Sequence, residues 1–222
     1  MRQRKAKDLE KRLRQCSAYM IQKPGDGSKD YFGTGGDREL FLEIGCGKGQ
    51  FILKKALSNP DADYIAVEGQ ETVILRALEK ADAKAQECRE DSDGGLSNLK
   101  FMLTFVHGME ELFDENQLSG IYLNFSDPWP KARHAKRRLT HRDRLRDYGW
   151  ALKKGGFIEI KTDNDELYDF TLEEIQAVGY RIAEQTRDLH GSDYAARMTT
   201  TEYEDKFSGK GKSINYVKVI VE

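Results

Sequence analysis

The stretch LFLEIGCGKGQF, residues 40–51, decides the fold predicted for this chain. Five residues with strand character run directly into three glycines, Gly45, Gly47 and Gly49, and the amphipathic segment FILKKAL follows. Glycines at a strand-to-helix turn permit a tight bend and let a ligand approach the backbone closely. The stretch therefore predicts a strand, a ligand-binding turn and a helix.

Strands and helices alternate along the rest of the 222 residues. The predicted strands are YIAVE (64–68), LKFMLTFV (99–106), IYLNF (121–125), GFIEIKT (156–162) and the late run INYVKVIV; the predicted helices cover 71–87, 141–152 and 166–178. This alternation indicates βαβ units and a mostly parallel, doubly wound α/β sheet. In such sheets, ligands bind at the carboxyl ends of the strands. The functional residues are therefore expected just after each strand.

Composition favours one domain in a reducing compartment. A chain of this length can bury one sizeable core, so we expect a basic N-terminal arm (1–36) and one domain (37–222). The mean hydropathy is −0.72, and no stretch approaches the roughly 18 apolar residues of a membrane helix. The start of the chain lacks the apolar segment of a signal peptide, and three scattered cysteines predict neither disulfides nor a metal site. A cytoplasmic protein is expected, with no membrane partner and no obligate protein partner.

Positive charge is concentrated in two segments. Residues 1–14 hold seven Lys or Arg against two acidic residues, and residues 131–146 hold eight against one. These segments carry +5 and +7 in a chain of net charge −2, so the remainder carries −14. Two basic surfaces on an acidic scaffold are typical of an enzyme that binds a polyanion. The alternative is a pair of solvated helix faces.

Two acidic residues accompany the glycine turn. Glu43 ends the first strand two residues before Gly45, and Glu68 ends the next strand. A carboxylate at the second position can accept hydrogen bonds from ribose hydroxyls, as in NAD enzymes. Glu43 suits the cationic S-adenosylmethionine better than a pyrophosphate. A NAD-dependent dehydrogenase and a plain structural bend remain alternatives, and Cys46 is interpreted as a small packed residue because no partner base is evident.

A second group of residues follows the strand IYLNF. The segment Ser126-Asp127-Pro128-Trp129-Pro130-Lys131 leads into the densest basic run in the chain. A turn explains Asp-Pro, but it does not explain a tryptophan between two prolines at the carboxyl end of a strand. An aromatic ring for stacking, an acceptor for base edges and cations for phosphates together predict an RNA site.

The motifs EIGCGKGQF (43–51), LNFSDPWPKARHAKRR (123–138), KTDN (161–164) and TEYE (201–204) closely resemble those of the bacterial tRNA (guanine(46)-N(7))-methyltransferases. The resemblance runs from the Arg-rich start to the last strand. It implies a class I, Rossmann-like methyltransferase fold with an antiparallel last strand, S-adenosylmethionine as cofactor and tRNA as partner. It also implies methylation of a variable-loop guanine.

The resemblance further implies roles for individual residues. Asp127 takes the catalytic position, and no metal is expected. The implied cofactor contacts are Glu43, Gly45, Gly47, Gly49, Glu68, His107 and Asp127, and the implied substrate contacts are Lys131, Asp163, Thr201, Glu202, Tyr203 and Glu204.

Three of these assignments have structural alternatives. His107 stands where the family usually has Asp; an unprotonated imidazole nitrogen can accept from the adenine amino group, but a solvated histidine is the alternative. Asp163 could instead cap the following helix. Thr201-x-x-Glu204 is also the pattern of a capping box.

Guanine N7 carries a lone pair and no proton, so methylation there requires alignment and charge stabilisation but no general base. Asp127 could accept hydrogen bonds from the N1–H and amino group of the guanine. Two other classes compete: an amino-group methyltransferase, whose motif resembles Asp-Pro-Trp, and a non-catalytic RNA-binding module that keeps the fold.

Overall fold

The computed structural model describes residues 7–22, 24, 26–91, 96–207 and 212–222. Two units divide the chain, residues 1–107 and 108–222. The described part of the first unit has three strands, β1 (Leu40–Ile44), β2 (Asp63–Glu68) and β3 (Leu99–Leu103). Its helices are α1 (Leu9–Gln15), α2 (Gln50–Ser58) and α3 (Glu71–Asp91). The strands are parallel and lie in the order β3-β2-β1.

Apolar runs form the centre of the first unit. Every residue of β1 is buried, as is every residue of β2 except Glu68, as expected of parallel strands covered on both faces. The Asn98 side-chain amide donates to the carbonyls of Ala56, Asn59 and Ala62, at 3.1, 3.2 and 2.9 Å. These bonds tie the connection between α2 and β2 to the start of β3, so all three parallel strands end at one edge in register.

Part of the predicted N-terminal arm packs on this unit. The α1 residue Leu9 is buried, and the Arg12 guanidinium pairs with Glu79 on α3. Met20 forms a parallel bridge with Phe101, and the Ile21 amide donates to the Phe101 carbonyl at 2.9 Å. Helix α1 therefore packs on α3, and Met20 and Ile21 pair with one edge of β3. Residues 1–6, which hold three of the seven predicted cations, lie outside the described residues.

Four strands lie in the described residues of the second unit: β4 (Leu118–Asn124), β5 (Leu152–Thr162), β6 (Arg181–Thr186) and β7 (Asn215–Ile220). Its helices are α4 (Arg142–Ala151), α5 (Asp165–Val178) and α6 (Glu202–Phe207), with 3₁₀ turns at 109–111, 132–137 and 195–197. The strand order is β4-β5-β7-β6: β4 and β5 are parallel, and β7 is antiparallel to both of its neighbours. The prediction of mostly parallel strands with an antiparallel last strand is confirmed.

Several details differ from the predictions. The third strand ends at Leu103 rather than residue 106, because Thr104 to Val106 leave the ladder. The strand β6 and the helices α1 and α6 were not predicted. The sequence of β6, RIAEQT, is largely exposed and lacks the apolar run of a buried strand.

Candidate active site

The glycine turn adopts the conformation that its sequence predicts. Gly45, Gly47 and Gly49 all have positive φ, at 77°, 58° and 73°. Gly49 begins α2, and a Cβ there would lie 2.7 Å from the Ala77 Cβ. The amides of Gly45 and Cys46 both donate to the Val67 carbonyl, which joins the turn to the end of β2. The turn is therefore a rigid element that larger residues would distort.

Glu68 is oriented by backbone donors. Its Oε2 accepts from the Gly47 amide at 3.1 Å, and its Oε1 accepts from the Gln70 amide at 2.9 Å. A carboxylate has about four acceptor sites, so it can accept from several donors at once. Glu43, at the end of β1, is 2% exposed. These two acidic residues flank the glycine turn, as predicted.

Cys46 is a buried thiol in the glycine turn. Burial together with the nearby carboxylates of Glu43 and Glu68 raises the pKa of its thiol well above the ordinary value. A thiol with a raised pKa holds little of the reactive thiolate at neutral pH. The interpretation of Cys46 as a packed residue is confirmed.

One residue in this region was missed by the sequence analysis. Phe105 is 58% exposed, and its ring occupies the space next to Gly69, where a Cβ would lie 2.2 Å from the ring. Gly69 directly follows Glu68, the predicted ribose acceptor. The exposed ring of Phe105 therefore lies beside the residue that follows this acceptor. The apolar run predicts a strand through residue 106, whereas β3 ends at Leu103 and leaves Phe105 outside it. His107, two residues further on, is exposed.

In the second unit, Asp127 lies on an exposed loop after β4. Two residues that flank it, Phe125 and Trp129, are not glycine and yet have φ of 51° and 42°. Left-handed conformations cost free energy for such residues and concentrate at functional sites. The Asp127 side chain is exposed, so its carboxylate is accessible on a strained loop.

The predicted stacking residue, Trp129, already has partners. The Arg137 guanidinium lies 4.9 Å from the centre of the indole ring, and His134 packs edge-on at 5.7 Å. The ring is half-buried. These contacts fix the indole against the basic run that follows it.

Asp163 follows β5 and does not cap the next helix. The N-cap of α5 is Asn164, whose Oδ1 accepts from the Leu167 amide at 2.7 Å. Asp163 Oδ2 instead accepts from the Tyr203 hydroxyl at 2.9 Å and from Lys212 Nζ at 3.2 Å. The bond to Asp163 is the main reason that the pKa of Tyr203 is raised. The alternative of a helix cap is therefore wrong for Asp163.

The segment Thr201–Glu204 forms the capping box that its spacing predicts. The Thr201 amide donates to Glu204 Oε2 at 2.8 Å, and the Glu204 amide donates to Thr201 Oγ1 at 3.0 Å. Glu204 is 1% exposed and also pairs with the buried Lys161, 3.4 Å away. Lys161 Nζ donates to the Thr199 carbonyl as well. Within this segment Glu202 is half-buried and Tyr203 exposed, so they are the more accessible side chains.

The basic run 131–146 contains two kinds of cation. Arg142 pairs with the buried Glu174, and Arg138 donates to backbone carbonyls. Lys131, Arg133 and Lys136 are exposed. Fewer cations of this run are therefore available on the surface than the eight Lys and Arg residues that the sequence contains. Within the described residues, no cluster suited to a metal ion and no helix able to cross a membrane was found.

The chain matches a family model described as a methyltransferase over residues 37–217. It is also 42% identical over 181 residues to the tRNA (guanine-N(7)-)-methyltransferase of Lachnoclostridium phytofermentans, covering 82% of this chain and 80% of that protein. The protein of the same name from Clostridioides difficile is 39% identical and is covered over 96% of both chains. The chain belongs to the tRNA (guanine-N(7)-)-methyltransferase family.

Solved structures support the methyltransferase fold independently. The crystal structure of the 16S rRNA methyltransferase KamB has a TM-score of 0.60 at 12% identity, covering 99% of this chain and 95% of KamB. A SAM-dependent methyltransferase from Aquifex aeolicus has a TM-score of 0.53 at 14% identity, covering 97% and 90%. At such identities only the fold is shared. The predicted class I methyltransferase fold is confirmed, and within the tRNA (guanine-N(7)-)-methyltransferase family S-adenosylmethionine is the methyl donor.

Proposed function

We propose that this protein transfers the methyl group of S-adenosylmethionine to N7 of a variable-loop guanine in tRNA. Its relatives of 39–42% identity are named tRNA (guanine-N(7)-)-methyltransferases. The observation that carries the proposal is the exposed Asp127 carboxylate, held on a strained loop that leads directly into the basic run. The tRNA substrate assigns the reaction to the cytoplasm.

The residues of the first unit fit the cofactor. Backbone amides of Gly47 and Gln70 fix the orientation of the Glu68 carboxylate, whose oxygens are the proposed acceptors for the ribose hydroxyls. The glycine turn admits a ligand close to its backbone, and the neighbouring Glu43 suits a cationic group. Gly45, Gly47, Gly49 and His107 complete the proposed contacts of this unit. When bound, the cofactor supplies a methyl group on a positively charged sulfur.

The residues of the second unit act on the substrate in this proposal. Asp127 accepts hydrogen bonds from the N1–H and amino group of guanine, which aligns N7 and stabilises the positive charge that develops on the ring. No proton leaves N7, so no residue needs to act as a base. Lys131 binds phosphate, and Asp163, Glu202 and Tyr203 contact the nucleotide. Thr201 and Glu204 contribute through the capping box that positions α6.

Asp127→Asn tests the proposal. Asparagine keeps the size and one acceptor but loses the charge and places a donor opposite the guanine donors. We expect the single-turnover rate with tRNA to fall by about 10²-fold, with cofactor affinity unchanged. Wild-type rates from pH 6 to 9 should show no rising limb due to a general base near neutrality. Asp193→Asn, at an exposed position, is the matched control.

The product distinguishes the competing classes. After incubation with labelled cofactor and bulk tRNA, digestion should yield N7-methylguanosine. A label on an exocyclic amino group would instead identify an amino-group methyltransferase, and no label would leave an RNA-binding module. Near-wild-type transfer by Asp127→Asn would remove Asp127 from the mechanism.

A further inference from the structure

The loop that carries Asp127 is held at both ends. At its first end, the Phe125 amide donates to the Lys161 carbonyl at 2.8 Å. The Phe125 ring lies 4.7 Å from the ring of Tyr203 and packs on a buried cluster of Leu189, Ile214 and Tyr216. These contacts offset the cost of the left-handed backbone at Phe125.

Arg138 holds the other end. Its Nε donates to the Pro128 carbonyl at 3.0 Å, and one terminal nitrogen donates to the Trp129 carbonyl at 3.2 Å. Both carbonyls belong to the segment directly after Asp127, and Trp129 is the second left-handed residue. The guanidinium carbon also lies 4.2 Å from the ring centre of Phe170 on α5. Arg138 therefore links the strained loop to a helix.

We propose that Arg138 is a positioning residue that fixes the Asp127 carboxylate by clamping the carbonyls of Pro128 and Trp129. The inference rests on the proposed function of Asp127. This role distinguishes Arg138 from the exposed cations of the same run, because Arg138 donates to two backbone carbonyls of the protein. In this proposal Arg138 acts on the geometry of the loop rather than on phosphate.

Lysine cannot reproduce this clamp. A guanidinium is a planar fork that can donate in two directions while its face stacks on an aromatic ring. A lysine ammonium is a compact charge on a flexible chain, so it cannot bond both carbonyls and lie flat on Phe170. Arg138→Lys consequently keeps the charge of the basic run and removes the clamp. This makes it the informative substitution.

The first experiment measures the loop without activity. The chain has two tryptophans, Trp129 and Trp150. In full-length protein labelled with 5-fluorotryptophan, each gives one ¹⁹F resonance, and Trp150→Phe assigns them. We expect Arg138→Lys to shift or broaden the Trp129 resonance and to leave that of Trp150 unchanged. The control Arg181→Lys, at an exposed arginine of β6 that pairs with Glu222, should move neither.

The second experiment separates positioning from tRNA binding. For Arg138→Lys we expect kcat to fall by 10-fold to 10²-fold with little change in the KM for tRNA, because a small misplacement of a reacting group is costly. In the Asp127→Asn background the same substitution should cost nothing further, since Arg138 acts only through Asp127. Phe170→Leu, which removes the stacking surface but leaves the hydrogen bonds, should give a smaller loss of kcat.

An unshifted Trp129 resonance in Arg138→Lys would overturn the proposal. So would a loss that lies in KM or persists undiminished in the Asp127→Asn background, because either outcome assigns Arg138 to phosphate binding. If Arg138→Lys does not fold, Phe170→Leu carries both measurements. If the wild-type protein methylates no tRNA, the proposed function fails, and the ¹⁹F result still decides whether the clamp exists.

Discussion

Glu68 combines two tasks at one side chain. Its carboxylate holds the Gly47 and Gln70 amides and, in the proposed function, also receives the ribose hydroxyls. Substitution to Gln keeps the size of the side chain but replaces one acceptor oxygen with a donor, which faces either an amide N–H or a hydroxyl. We expect Glu68→Gln to weaken S-adenosylmethionine binding by roughly 10-fold, about the value of one hydrogen bond to a charged group. Isothermal titration calorimetry measures this directly.

The matched control for this substitution is Glu39→Gln, at an exposed position just before β1. It should leave cofactor affinity unchanged, and tRNA binding should persist in both variants. Cofactor affinity equal to wild type in Glu68→Gln would exclude Glu68 from the cofactor site.

At the scale of single residues, the sequence predicts those positions that only a few residue types can occupy. The three glycines, the two acidic residues and the buried Cys46 could be interpreted from the sequence, because a tight ligand-binding turn between a strand and a helix accepts few residue types. The exposed ring of Phe105 next to Gly69 and the hydrogen bonds of Arg138 to backbone carbonyls were not predicted. Phe105 continues an apolar run and resembles a strand residue, while Arg138 is one of eight cations in its segment. Which of these cations faces the backbone depends on tertiary contacts that spacing does not encode.

At the scale of elements, α4 and α5 are joined by one buried charge. Glu174 is 3% exposed and accepts from the Arg142 backbone amide at 2.6 Å and from its guanidinium. These side-chain hydrogen bonds hold the pKa of Glu174 below its ordinary value of 4.5. The carboxylate form is therefore the form that the fold stabilises.

Glu174→Gln should lower the free energy of unfolding by about 1–2 kcal/mol at neutral pH, a modest value because Arg142 remains half exposed. A group with a lowered pKa stabilises the fold above its unfolded pKa, and this stability is lost as the pH falls through the folded pKa. The gap in unfolding free energy between wild type and variant should thus have its full size above pH 4.5 and should narrow as the pH falls below that value.

Urea unfolding at several pH values measures this gap, with Glu173→Gln, at the exposed neighbouring position, as the control. A gap independent of pH would show that packing rather than charge links the two helices.

Elements with a clear apolar period were predicted to within a few residues. The helices α4 and α5 and the strands β1, β2 and β7 are examples. The strand β6 was missed because its stability comes from pairing with β7 rather than from burial. The short helix α6 was visible only as the capping box Thr201–Glu204. Its ion pair with Lys161 joins residues 43 positions apart and has no local signal.

Across the whole molecule, some basic side chains bond to other groups of the protein and others are exposed on the surface. Arg138 and Arg142 are engaged within the protein, whereas Arg133 and Lys136 are exposed. Only exposed cations can displace counterions from tRNA phosphates. The double variant Arg133→Gln/Lys136→Gln should therefore weaken tRNA binding and flatten its dependence on salt. The slope of log K against log salt should fall by about 1–2.

Filter binding or fluorescence anisotropy at several salt concentrations measures the slope. Lys154→Gln removes an exposed charge outside the basic run and should leave the slope unchanged. An unaltered slope in the double variant would mean that these cations form only a solvated face.

The position of β7 has a consequence for how the protein is made. This strand comes last among the four of its unit, yet it lies between β5 and β6 and is the bonded neighbour of both. A growing chain that has reached Thr186 contains β5 and β6, but the strand that separates them has not yet been synthesised. Until residues 215–220 emerge, β5 has an unpaired edge and β6 lacks the strand with which it pairs, and unpaired strands are the kind of surface on which nascent chains aggregate. A ribosome that stalls between these points would hold the second unit in its most vulnerable state.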